Sequence, residues 1–445
     1  MAGRRRIAIV GGGPAGMAAA SRARKLDPQS QITVYEVSKY VSYSMCGIPY
    51  YISGVVTDLS KLVAYSPEQF RSERGIDVLT QVRVISADAG AHKLRFAGAG
   101  GEREQEYDIL ILATGARPWI PGIEGILLPG VHTVRQLEDA EAIRLEAEKA
   151  GKVVIVGAGY IGLELSESFK SLGKDVTVLE LLPRPMESLD PDMSDLVTRE
   201  VTDNGVRVVF NTKITAIEGK DRVERVLTEG ESYPADLVVM ATGVRPDVDL
   251  AKMMNIEIGT TGGIKVDERT RTSVEGVLAA GDNVEVKHLV TGKPAYLPMA
   301  QTANKMGYVA GANAAGKEAR FPGIVGSAIT KVFGLEIGCT GLTIQEAGRS
   351  GLRALGVTIS SVTRANYHPD SKKIWVRLNY EEGSLRLLGG QVLGQEGVWG
   401  RTSVLSMALH SKSALTDLLF SDLPYAPPFG PVWDPLVTGS RVGLS

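Results

Sequence analysis

The chain has 445 residues, too many for one ordinary core, and its length predicts two to four domains. Hydrophobic residues make up 44 % and charged residues 22 %, the balance of a soluble globular protein, and the 51 glycines exceed the average share. A net charge of −2 with no long basic or acidic tract argues against nucleic acid as the main partner, and two cysteines cannot make a disulfide framework.

So sparing a use of cysteine points to a reducing, cytoplasmic setting. The five histidines are scattered and no Cys/His cluster has zinc spacing, so no metal is expected. No apolar run reaches the roughly 18 residues of a membrane span. The opening stretch RRRIAIVGGGPAGMAAASRA imitates a signal peptide, but strand, glycine turn and helix account for it better, with the basic GRRR start as a solvated flank.

That opening pattern occurs twice. IAIVGGGPAGMAAA begins at Ile7 and VVIVGAGYIGLELS at Val153, each a β-branched run, then G-x-G-x-x-G, then helix formers. In the first unit Gly11 permits the tight turn, Gly13 lets backbone N–H groups approach a pyrophosphate, and Gly16 lets helix pack on strand. The strand ITVYE ends at Glu36, whose carboxylate can accept both hydroxyl protons of a ribose. The second unit repeats this with Gly157, Gly159 and Gly162, and its strand DVTVLE ends at Glu180. Both units close alike, with DILILATGARP at 108–118 and DLVVMATGVRP at 236–246. Two dinucleotide sites on one chain suggest electron relay from a nicotinamide to a flavin. GVLAAGDNVEV adds a strand running into Gly281-Asp282.

In this order the motifs resemble the two-dinucleotide-binding-domain flavoproteins, the pyridine nucleotide–disulfide oxidoreductases, over essentially the whole chain. The resemblance implies an α/β fold of two Rossmann-like domains, for FAD and NAD(P), plus a C-terminal α/β dimerisation domain. The implied divisions are 1–118 with 247–324 for FAD, 119–246 for NAD(P)H and 325–445 for dimerisation. It places FAD on Gly11, Gly13, Pro14, Ala15, Gly16, Glu36, Val82, Thr114, Gly115, Gly281 and Asp282. It places NAD(P)H on Gly157, Gly159, Tyr160, Ile161, Glu180 and Gly243. A carboxylate at Glu180 repels a 2′-phosphate and favours NADH, although nearby Arg184 leaves NADPH open.

SYSMCGIPYY, at 42–51, contains Cys46, and Tyr51 stands where many members of that family carry a second cysteine. CGIPYY can open a helix with Pro49 in its first turn, and a thiol at a helix N-terminus should have its pKa lowered. Cys339, in the apolar run GLEIGCTGL, is expected to be a buried core residue. One reactive cysteine allows two chemistries: exchange with a small disulfide through a mixed disulfide, or a sulfenic acid cycle.

SYSMCGIPYY is similar to the single-cysteine branch of the family, which includes coenzyme A–disulfide reductases, NADH oxidases, NADH peroxidases and NAD(P)H sulfur reductases. Pro14 occupies the glycine-loop position where the peroxidases and oxidases carry a histidine, a departure that weakens those two alternatives. ANYHPDSKK and DLPYAPPFGPVWDPL resemble the coenzyme A–disulfide reductase pattern, which implies that Tyr367 and Tyr425 act beside the partner subunit's cysteine. The same resemblance implies that coenzyme A contacts Arg22, Lys25, Ser42, Arg74 and Ser327, in a homodimer that reduces a small-molecule disulfide. An electron-transfer or redox-sensing flavoprotein serving a protein partner is the reading from another class, and it would leave Cys46 dispensable.

Past residue 325 the pattern changes. KIWVRLNYEEGSLRLLGGQVLG predicts a hairpin around Glu-Glu-Gly, and TSVLSMALHSKSALTDLLFSD an amphipathic helix. GARPWIPGIEGI and GVRPDVD, rich in turn residues, predict the crossings between units.

Overall fold

The computed structural model describes residues 4–445. Strand β1 (Arg6–Val10) leads through the first glycine turn into helix α1 (Pro14–Leu26) and strand β2 (Gln31–Tyr35). The short helix α2 (Ile48–Ile52), helix α3 (Pro67–Arg74) and strand β3 (Asp77–Leu79) follow. A three-stranded antiparallel meander, β4 (Arg83–Asp88), β5 (Lys93–Gly98) and β6 (Gly101–Glu106), precedes β7 (Ile109–Leu112).

The chain crosses out through β8 (Ala116–Pro118) into the second unit. There it runs β9 (Val131–Thr133), α4 (Leu137–Ala147), β10 (Lys152–Val156), α5 (Tyr160–Ser171), β11 (Asp175–Leu179), α6 (Pro191–Asp203) and β12 (Arg207–Val209). A second meander, β13 (Ile214–Glu218), β14 (Arg225–Thr228) and β15 (Ser232–Pro234), leads to β16 (Leu237–Met240). The chain returns through β17 (Val244–Pro246), α7 (Asp249–Met253), β18 (Val277–Ala279), the small ribbon β19 (Val286–Lys287) with β20 (Pro294–Ala295), and α8 (Ala300–Ala314).

The first sheet has the order β18-β7-β1-β2-β3 and the second β12-β11-β10-β16-β9, both parallel. Central strands such as IAIV and VVIV are buried on both faces, which is why they read as continuous apolar runs. The two crossings are not plain loops: β8 and β17 pair antiparallel, Arg117 opposite Arg245. Helix α8 lies on α1 because Gly307 and Gly311 carry no side chain; a Cβ on either would overlap the backbone of Ala15 or Ala19.

The C-terminal sheet is antiparallel, order β21-β22-β25-β24-β23, from β21 (Ala328–Val332), β22 (Leu335–Gly341), β23 (Ala354–Val362), β24 (Lys373–Glu381) and β25 (Leu387–Gly394). The expected hairpin is β24–β25. Helix α9 (Ile344–Arg349) sits between β22 and β23. The single amphipathic helix expected after β25 is instead two, α10 (Val398–His410) and α11 (Leu415–Leu419), with α12 (Pro435–Gly443) last. The break comes where Lys412 takes φ +56°, outside the right-handed helical region. The basic start also departs from expectation. Arg6 is the first residue of β1 and its guanidinium holds Asp108 at 2.9 Å.

Candidate active site

β1 ends at Val10, and the chain turns at Gly11 with φ +110°, where a Cβ would overlap the Ala113 carbonyl. Gly16 is needed for the same reason against the carbonyl of Gly11. Gly13 differs. A Cβ there meets nothing within 4 Å, so no protein atom demands glycine; the open space before the N-terminus of α1 suits a pyrophosphate. Pro14 opens that helix and no side chain caps it. Glu36 turns back on this loop, Oε2 accepting from Gly12 N–H at 2.6 Å and Oε1 from Ser38 N–H at 2.8 Å. Burial raises the Glu36 carboxyl against these backbone donors.

Ser42, at φ +49°, donates its N–H to the Gly12 carbonyl at 3.0 Å and so stitches the segment before Cys46 to the glycine loop. Cys46 falls in the 3-10 turn Met45–Gly47, just ahead of α2. The lowered thiol expected from sequence is corrected here. Solvent reaches the Cys46 side chain, yet the protein beneath it desolvates the sulfur and pushes its pKa up. Glu164 adds to the rise, Arg135 opposes it and Asp282 adds again. Five residues of α2 give too weak a dipole to reverse this.

Those three neighbours come from different parts of the chain. Asp282 follows Gly281, which stands at φ +99° behind β18 and against Ala15 in the first turn of α1. Its carboxylate pairs with Arg135 at 2.9 Å. Beside it, Asn283 uses its Nδ2 on the Leu112 carbonyl at 3.0 Å and Thr114 Oγ1 at 3.1 Å, while its buried Oδ1 has no partner. The buried Tyr296 hydroxyl, raised by burial and then by Asp282, also lacks one. Unpaired buried polar atoms beside an open glycine loop fit a polar cofactor such as FAD.

The remaining expected residues around that cofactor have local tasks as well. Val82 donates to the Glu36 carbonyl at 2.9 Å, Thr114 Oγ1 donates to the Asp247 carbonyl at 2.6 Å, and Gly115 takes φ +72°.

The second glycine loop repeats the first. Gly157 takes φ +106°, Gly162 packs on its carbonyl, and Gly159 again faces open space. Glu180 is nearly buried and accepts from Ala158 N–H at 2.5 Å and Leu182 N–H at 2.8 Å. Gly243 takes φ +91°, and Ile161 is exposed. Tyr160, first residue of α5, places its hydroxyl 3.0 Å from Ser188 Oγ and 3.1 Å from Cys339 Sγ. Arg184 is engaged with Asp195 at 2.9 Å. Glu164, one turn along α5, accepts from Thr330 Oγ1 at 2.5 Å and is raised by burial. The same helix reaches α2 through Ser168 Oγ, 3.0 Å from the Pro49 carbonyl.

Of the basic residues, Arg22 and Arg74 each lie over a tyrosine ring, and Arg74 also bonds Ser21 of α1. Arg74 donates to Ser21 Oγ at 3.0 Å and lies 4.3 Å over the Tyr65 ring; Arg22 lies 4.1 Å over Tyr308 with its buried Nε unpartnered. Lys25 is exposed on α1. The Ser327 hydroxyl is engaged within the C-terminal domain, 2.7 Å from Thr340 Oγ1 and 2.9 Å from Ser406 Oγ. Tyr367 and Tyr425 are solvent-exposed neighbours, and hydrogen bonding to Tyr367 raises the Tyr425 phenol. Arg135, Glu164 and Tyr296 escaped the sequence reading. The signal for Glu164 was an acid in the buried, apolar start of GYIGLELS; Arg135 and Tyr296 carry no motif.

A family model described as pyridine nucleotide-disulphide oxidoreductase matches residues 5–307, and the dimerisation domain of the same family matches 327–435. An NAD(P)H sulfur oxidoreductase (CoA-dependent) of Pyrococcus abyssi is 43 % identical over 439 residues, 98 % of this chain and 97 % of that one. An NADH oxidase of Methanocaldococcus jannaschii is 39 % identical over 443 residues, 99 % and 98 %. The solved structure of an NAD-dependent persulfide reductase from A. fulgidus superposes with a TM-score of 0.96 at 41 % identity, covering 99 % of this chain and 83 % of that one.

Proposed function

The chain belongs to the pyridine nucleotide-disulphide oxidoreductase family, and within it we propose a reductase of coenzyme A disulfide and related persulfides that works through a mixed disulfide on Cys46. The observation that carries this is the setting of the Cys46 thiol. It is exposed to solvent in the Met45–Gly47 turn, and Ser42 N–H ties the segment before it to the Gly12 carbonyl of the first glycine loop at 3.0 Å. A bound flavin supplies two electrons drawn from NAD(P)H. The chain does the rest.

Cys46 as thiolate attacks one sulfur of R–S–S–R, forms Cys46–S–S–R and releases R–S⁻, which takes a proton. Two electrons and one proton then return Cys46–S⁻ and R–SH. The net change is NAD(P)H + H⁺ + R–S–S–R giving NAD(P)⁺ and two R–SH. Gly11, Gly13, Pro14, Ala15, Gly16, Glu36, Val82, Thr114, Gly115, Gly281 and Asp282 hold FAD. Gly157, Gly159, Tyr160, Ile161, Glu180 and Gly243 hold NAD(P)H, with NADH favoured by Glu180.

Arg22, Lys25 and Arg74 offer cations to the substrate's phosphates, with Ser42 and Ser327 as polar contacts. Two copies form the active dimer, each lending Tyr367 and Tyr425 as proton donors to a leaving thiolate. The CoA-dependent name of the P. abyssi relative supports the substrate class. The setting is cytoplasmic, where free thiols persist.

Intact-mass measurement of the non-reduced protein should show an adduct of coenzyme A mass that dithiothreitol removes. Cys46→Ser should abolish disulfide reduction while NADH still reduces artificial dyes. Disulfide reduction that survives this change overturns the proposal. An oxygen adduct trapped by a sulfenic acid reagent would instead support oxidase or peroxidase chemistry, which the M. jannaschii relative's name favours.

A further inference from the structure

We infer that Asp190 is a positioning residue for the nicotinamide cofactor, holding the 181–190 loop of the second glycine-loop unit against that loop from the C-terminal domain. The inference rests on the reading that NAD(P)H binds at Gly159.

Asp190 stands at the N-cap of α6, where a carboxylate normally serves its own helix, yet it makes no capping bond. Its side chain is spent entirely on the other domain. Oδ2 accepts from Asn379 Nδ2 at 2.6 Å, Gln391 Nε2 at 2.7 Å and Arg377 Nε at 3.0 Å, and Oδ1 from Ile344 N–H at 3.0 Å. Its own N–H donates to Gln391 Oε1 at 2.9 Å. Asp190, Asn379 and Gln391 are each at most 2 % exposed, so this charge is removed from water and depends wholly on its partners.

From this anchor the loop runs back to the cofactor loop. Met186, at φ +55°, donates to the Ala158 carbonyl at 3.1 Å, within the glycine loop itself. Ser188 holds the Tyr160 hydroxyl, and Leu182 N–H holds Glu180. The residues that would face the nicotinamide nucleotide are therefore braced by a loop whose far end is fixed in another domain. The seam continues with one polarity, acids on the second unit and donors on the C-terminal domain: Glu164 with Thr330, Glu167 with Phe333 N–H at 2.8 Å, and Asp192 with Arg377 at 3.0 Å.

The test compares variants of the flavin-loaded protein by NADH titration, steady-state kinetics and amide hydrogen exchange. Asp190→Asn should raise the Kd and KM for NADH five- to twentyfold, leave kcat within twofold and speed exchange in 181–190. Combining Asp190→Asn with Asn379→Asp returns a carboxylate beside Arg377, whose Nε is already 3.1 Å from Asn379 Oδ1, and should restore KM to within threefold of the parent.

A merely structural role would lower kcat and melting temperature at unchanged KM, and that result overturns the inference. Should Asp190→Asn fail to fold, Gln391→Met removes the Nε2 donor to Asp190 and the acceptor of its N–H, and should raise KM two- to fivefold; no rise overturns it equally. Gly159→Asp separates the two failures, because the added side chain enters open space and repels a pyrophosphate. An unchanged KM in Gly159→Asp overturns the placement of NADH and the inference with it. A raised KM there alongside a normal Asp190→Asn overturns the inference alone.

Discussion

The hydroxyl of Tyr160 lies 3.1 Å from the sulfur of Cys339, joining the first residue of α5 to the middle of β22. The two thiols of the chain are thereby sorted: Cys46 meets solvent and Cys339 is buried behind a tyrosine. Native protein, reduced with dithiothreitol and freed of it, should react with one equivalent of a thiol reagent per chain and denatured protein with two. Cys339→Ser, which keeps a hydrogen-bonding atom, should retain disulfide reduction within twofold. Two fast-reacting thiols in the native state would contradict this assignment.

Gly13 and Gly16 should separate under the same substitution. Gly13→Ala adds a methyl group to open space, so the melting temperature of the flavin-free protein should stay put while retained flavin absorbance falls. Gly16→Ala drives a Cβ into the Gly11 carbonyl and should destabilise the fold by about 1–3 kcal/mol or more. Equal loss of stability in both variants would show that the two glycines share one structural role.

Burial and then Glu164 hold the Cys46 thiol of the flavin-free protein above its ordinary pKa, so its thiolate forms at higher pH than that of a free cysteine. Its alkylation rate in flavin-free protein should climb about tenfold per pH unit below that pKa. Glu164→Gln removes a nearby negative charge and should shift the climb to lower pH. A flat profile between pH 6 and 9, probed across roughly the ordinary thiol range, would refute the assignment.

His288 is buried, and desolvation pushes its pKa down to about 4. The unfolded chain, with a histidine near 6.5, therefore binds more protons through that window. Stability is fully present above about pH 6.5 and drains as pH falls toward 4, by on the order of 3 kcal/mol. Melting curves should show this acid loss, and His288→Gln should flatten it. An unchanged slope in the variant would place the acid sensitivity elsewhere.

Much of the fold was legible because its signals are local. A β-branched run, a G-x-G-x-x-G turn and a small-residue helix occupy about twenty consecutive positions, and duplication of that pattern announced two parallel sheets. Glu36 and Glu180 could be placed because each directly follows a strand. The helix break at Lys412 and the β8–β17 ribbon were not legible. One depends on a single backbone angle and the other on pairing across more than a hundred residues.

By itself the sequence determined where glycine, acid and thiol stand along the chain, since turn geometry and strand periodicity act over a few residues. Only the tertiary structure decided what surrounds them. Asp190 reaches Gln391 across 201 positions, and Cys46 is raised rather than lowered because the surrounding protein desolvates it and Glu164, arriving from another unit, adds to that. Electrostatics and burial depend on distance in space, and chain order does not encode that distance.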